Sequence, residues 1–97
     1  MRGYVYVCGK FIDTGLRLEV GRERNRIYAA AWRAFEECTG VEAPEVVYVW
    51  SAVTNDWAAF EYEARTKVGR FPVWAIFTDG DPAKALEEAQ RMKAARA

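Results

Sequence analysis

Between Trp57 and Val68 the chain alternates. Phe60, Tyr62, Ala64, Thr66 and Val68 are interleaved with Glu61, Glu63, Arg65 and Lys67. A period of two sustained over that length marks a strand with one face inward and one outward. The flanking stretches are rich in Val, Ile and aromatic residues, and Thr54-Asn55-Asp56 and Gly69-Arg70 supply turn chemistry between them. The pattern predicts three antiparallel strands, Val46–Val53, Trp57–Val68 and Phe71–Thr78. Trp57, Phe60, Ala64 and Val68 also fit one helical face. A helix over residues 54–68 would make the chain βαβαβα with a parallel sheet.

The period changes on either side of this block. Ile27, Ala31, Ala34, Phe35 and Cys38 follow helical spacing, widened by Tyr28 and Trp32, so a helix is expected from Gly21 to Thr39 with Gly40 as its left-handed cap. Asp81 and Pro82 read as the N-cap and first residue of a second helix, whose buried stripe is Ala85, Leu86, Ala89 and Met92. At the start of the chain, Tyr4–Ile12 and Leu16–Val20 are expected to pair as a hairpin around Asp13-Thr14-Gly15, with Gly9 in mid-strand as a bulge. The expected fold is therefore α+β in the order ββαβββα: a mostly antiparallel sheet with both helices packed on one face. The 97 residues form a single domain, 1–97.

Composition narrows the function classes. The chain carries 14 basic and 14 acidic residues, so its net charge is zero. Nucleic-acid binders usually show a basic excess because phosphate contacts supply most of their affinity, which disfavours that class. There is no histidine, which removes the commonest general base and the usual zinc ligand partner of cysteine. Cys8 and Cys38 lack metal-ligand spacing. They read as small buried residues of a cytoplasmic protein, with a disulfide as the alternative. No cofactor, metal site, leader or membrane-spanning run is expected.

Phe11-Ile12-Asp13-Thr14-Gly15 resembles the hydrophobic-hydrophobic-Asp-Thr-Gly signature of retroviral-type aspartic proteases, in which two chains each contribute one aspartate. The resemblance would imply Asp13 as a catalytic carboxylate. It covers five residues; Leu16 follows where Ala or Ser is usual, and the family's second motif is missing. Asp13-Thr14-Gly15 is therefore read as a turn and the chain as non-enzymatic. The segment Pro44–Ala97 is similar in architecture to the double-stranded RNA-binding domain. Yet Asp79-Gly80-Asp81-Pro82-Ala83-Lys84 stands where that family begins its last helix with basic residues. The remaining acidic pairs, Glu36-Glu37, Glu61 with Glu63, and Asp79 with Asp81, read as solvated faces or caps.

The pleat suggests a binding surface. If Phe60, Tyr62 and Ala64 face the helices together with Val47, Val49, Val53, Val73, Ala75 and Phe77, then Tyr48, Trp50, Trp74 and Ile76 face outward beside Arg65 and Lys67. Tyr48 would neighbour Glu63, and Arg65 would neighbour Trp74 in a cation–π contact. Aromatic residues and arginine dominate interface hot spots. The expectation is thus a small adaptor or inhibitor, of the kind carried by phages or mobile elements, that binds a protein partner through Tyr48, Trp50, Arg65, Lys67, Trp74 and Ile76. One alternative is a homodimer using the same face. The other is a nucleic-acid binder using Arg22, Arg24 and Arg26 at the helix start together with the sheet face.

Overall fold

A computed structural model of the chain describes residues 1–17 and 24–96, with only the backbone of Arg24. The elements are β1 (Arg2–Val7), β2 (Lys10–Arg17), α1 (Arg24–Thr39), β3 (Glu45–Val53), β4 (Trp57–Thr66), β5 (Gly69–Thr78) and α2 (Pro82–Arg96). The fold is α+β in the order ββαβββα, and residues 57–66 are strand, as the alternation predicts. Among the described residues all pairings are antiparallel, in one five-stranded sheet of order β2-β1-β5-β4-β3. The N-terminal hairpin inserts its first strand beside β5, so β2 and β3 become the two edges. The expected strand Leu16–Val20 and helix start at Gly21 lie partly outside the described residues.

The helices do not share a face. Ile27, Ala31 and Phe35 of α1 pack with Val5, Val7, Phe60, Tyr62, Val73, Ala75 and Phe77. Ala85, Leu86 and Ala89 of α2 pack on the opposite side, against Trp57, Ala59, Trp74 and Ile76. The physical reason is legible in β5. Val73-Trp74-Ala75-Ile76-Phe77 is an unbroken apolar run, and such a run demands cover on both sides. β4 also has two apolar faces over Trp57–Phe60, and polar alternation begins only at Glu61.

Each helix is tied down by polar contacts as well as packing. The Tyr28 hydroxyl donates to the Val46 carbonyl at 2.5 Å, and Trp32 Nε1 donates to the Ala43 carbonyl at 3.0 Å. Glu36 accepts from the Ala43 amide at 2.9 Å, so one member of the Glu36-Glu37 pair anchors the crossing to β3. Gly40 ends α1 with φ +69°. On the other face, Trp57 Nε1 donates to Glu88 of α2 at 2.7 Å. Asp81 caps α2, its Oδ1 accepting from the Ala83 amide at 2.9 Å. Asp81→Ala is expected to lower stability by about 1 kcal/mol, read as a shift in urea midpoint at unchanged slope.

The first hairpin turns earlier than its sequence suggests. Val7 pairs with Lys10, leaving Cys8-Gly9 as a two-residue turn with φ +56° and +73°. Two consecutive positive values fit the tight hairpin turn, and a residue other than Gly at such a position costs about 1–2 kcal/mol. Asp13-Thr14-Gly15 instead lies within β2, where the register with β1 slips between Arg2 and Tyr4. Asp13 accepts from the Gly15 amide at 2.9 Å, and the Thr14 hydroxyl donates to the Gly3 carbonyl at 2.7 Å. The turn chemistry of Asp-Thr-Gly thus builds a bulge with Gly15 at φ +74°, and Gly9 belongs to the turn.

Candidate functional site

The sequence-predicted face exists as a set of neighbours but is not free. Trp50 pairs with Glu61, and Glu61 pairs with Trp74, so these residues share one side of the sheet as the pleat requires. That side is the one α2 covers. Trp74 is 5% exposed and Ile76 is fully buried. Trp50 is half-buried, its ring 6.1 Å from that of Trp74 in an edge-on arrangement. The partner-binding assignment of Trp74 and Ile76 is therefore corrected: their side chains are core.

The charges on this face are also arranged differently. Glu61 is buried and bonded to Lys93 of α2, and the Lys93 ammonium lies 6.0 Å from the centre of the Trp74 ring. The cation beside Trp74 is thus Lys93 rather than Arg65, which pairs with Arg70 across β4 and β5. Arg65 bonds Glu63 at 3.1 Å and approaches Glu45 at 3.5 Å, and Glu63 also lies 3.9 Å from Arg70. The hydrogen bond to Glu63 is the main reason the Arg65 guanidinium is held above its ordinary pKa. Lys67 is exposed near the β4–β5 turn, beside Glu42, Pro44 and Val68.

Tyr48 departs from the pattern through a bulge. The β3–β4 register slips between Tyr48 and Trp50, so Tyr48 pairs with Tyr62 while Trp50 pairs with Glu61. The extra residue sends the two aromatic side chains to opposite faces. Tyr48 stands over a shallow hollow of about 320 Å³ that it lines with Asn25, Tyr28, Phe60 and Tyr62. Val47, expected to face inward, pairs instead with Glu63, and Val46 takes the buried position. Of the arginines at the helix start, Arg22 lies outside the described residues and Arg24 is described by backbone alone. Arg26 is exposed on α1. Arg26 on α1 and Arg65 on β4 belong to opposite sides of the sheet, so among the described residues these two are not brought together.

What the fold does expose is the edge of β3. Tyr48 is 57% exposed, Val49 43% and Val53 68%. The strand reads Glu-Val-Val-Tyr-Val-Trp-Ser-Ala-Val, nine residues with a single charge, and that charge lies at one end beside Arg65. The opposite edge carries the usual devices against strand pairing. In β2, Lys10, Asp13 and Arg17 are exposed, and the Asp13–Gly15 bulge breaks the line of the strand. The sequence reading missed β3 as an edge. Its signal was the lack of charge across Val46–Val53, which reads equally well as a central strand. No family model matches this chain, and no curated protein or solved structure matches it either.

Proposed function

We propose that this domain is a non-enzymatic protein-binding module that captures an extended segment of a partner by strand addition along β3. The observation that carries the reading is the contrast in charge between the two edges: β2 exposes Lys10, Asp13 and Arg17, whereas β3 carries one charge, at its end, and exposes Tyr48, Val49 and Val53. An added strand takes its affinity from the open main-chain groups of the edge and its specificity from alternate side chains. Here those would be Tyr48 and its hollow on one face, and Trp50 on the other. The preferred partner segment is uncharged and rich in β-branched or aromatic residues. The absence of histidine supports the non-catalytic part of the reading, and a cytoplasmic location remains the proposal for the compartment.

A second copy of the chain is the one other occupant that a specific observation favours. Antiparallel pairing of β3 with itself would bring no like charges together, because Glu45 is its single charge and lies at one end of the strand. Light scattering separates the two cases, since self-pairing gives a dimer in the absence of any other protein.

The test uses peptides selected from a random library on the full chain. Enriched peptides are expected to be extended and apolar, to shift backbone amide resonances along Tyr48–Val53, and to lose at least about tenfold in affinity against Val49→Lys. Val49 lies at the bulge without a cross-strand partner in β4, so the substitution should leave the fold intact. Peptides that map to the helices or to β2, or bind Val49→Lys equally well, would remove the proposal. Heparin retention that falls with salt would instead support the nucleic-acid class.

A further inference from the structure

The turn joining β1 and β2 places a cysteine where its backbone conformation favours Asn, Asp or Gly. The side chain at that position has a partner to explain it. Cys38, in the last turn of α1, is half-buried against the core cluster that contains Val7, the residue preceding Cys8. It also lines a hollow between α1 and β2 with Lys10, Ile12 and Ala34, so it faces the end of the hairpin on which Cys8 sits. Val7 pairs with Lys10 across the turn, which sets Cys8 next to the residues that line this hollow with Cys38. The Cys8 thiol is held above its ordinary pKa, first by hydrogen bonding with Cys38 and then by desolvation, with Lys10 acting in the opposite sense. Both thiols are free, and Cys8 is exposed rather than buried as its sequence context suggests.

We propose that Cys8 and Cys38 are a redox-responsive dithiol pair, closed to an intramolecular disulfide by exchange with a low-molecular-weight disulfide such as oxidised glutathione. Exposed Cys8 is the entry point. Its thiolate attacks one glutathione sulfur, the glutathione S–S bond breaks, and the departing glutathione thiolate takes up the proton that Cys8 lost. Cys38, deprotonated in turn, attacks the Cys8 sulfur of the mixed disulfide. The second glutathione leaves as a thiolate and is protonated. Two protein thiols are oxidised and one glutathione disulfide is reduced to two glutathione thiols. The bond formed pins the β1–β2 turn to the C-terminal end of α1 and encloses β2 and most of α1 in one covalent ring.

The test is incubation of the full chain with excess oxidised glutathione, followed by intact mass, thiol labelling and thermal melting. The expected product is a monomer that has lost two hydrogens, has no labelled thiol and carries no retained glutathione. Its melting temperature should rise by about 10 °C or more, reversibly with dithiothreitol. Cys38→Ser is expected to stop at the mixed disulfide, with one glutathione on Cys8. Wild-type chain that accumulates glutathione adducts, cross-links to a second chain, or stays fully reduced would overturn the proposal. None of these outcomes depends on the β3 edge.

Discussion

Replacing Trp74 with alanine is expected to cost about 3–5 kcal/mol of folding stability, as for other fully packed large aromatic side chains. The indole is 5% exposed and lies between Tyr6 on β1 and Glu61 on β4 in the sheet, with α2 above. Its removal leaves a cavity bounded by strands that cannot collapse without breaking register. It also takes away the ring near which the Lys93 ammonium sits while Lys93 engages buried Glu61. For a domain of this size the loss corresponds to a fall in melting temperature of roughly 15–30 °C. Urea unfolding followed by circular dichroism measures it. Trp50→Ala should cost much less, because Trp50 is only half-buried. A Trp74→Ala protein that melts like wild type would mean that α2 does not seal this face.

Gly3→Ala is expected to destabilise by about 1–3 kcal/mol, although it adds one methyl group to a strand. Gly3 pairs directly with Phe77 across β1 and β5. A Cβ built on Gly3 would lie 2.6 Å from Phe77 Cε1 and 3.1 Å from Cδ1. The Phe77 ring is fully buried and packs edge-on against Phe60 at 6.2 Å, so it has little room to retreat. Ordinarily alanine stabilises a strand relative to glycine by restricting the unfolded chain. The sign here is set by contact, not by that entropy. The double variant Gly3→Ala/Phe77→Leu tests the cause. If the ring is what clashes, Gly3→Ala should cost less when Phe77→Leu is already in place than it does in the wild type.

The candidate site was less legible than the fold, and particular residues show why. Alternation along β4 correctly put Glu61 on the same side as Trp50 and Trp74, because side-chain parity is a local property of the pleat. It could not say what lay above them. Ala85, Leu86 and Ala89 were identified as an apolar stripe, but a stripe of small residues fits either face of a sheet equally well. The apolar run Val73–Phe77 held the missing information. Tyr48 was misplaced for a different reason: a bulge at Val49 reverses parity, and nothing in Glu45–Val53 marks it, since no glycine or proline is present. Asp13-Thr14-Gly15 and Cys8-Gly9 exchanged roles because the same left-handed backbone serves a bulge and a turn, and composition favours the former as a turn.

By itself, the amino-acid order determined what depends on near neighbours along the chain: the period-two strands, the period-three-and-a-half helices, their caps and their sequence ββαβββα. Only the tertiary structure decided that the hairpin docks β1 against β5, that the helices lie on opposite sides, that β3 remains an edge, and that the end of the first hairpin lies beside Cys38. Those outcomes depend on which distant surfaces bury each other most completely, and burial is a property of the assembled layers that no short stretch of sequence contains.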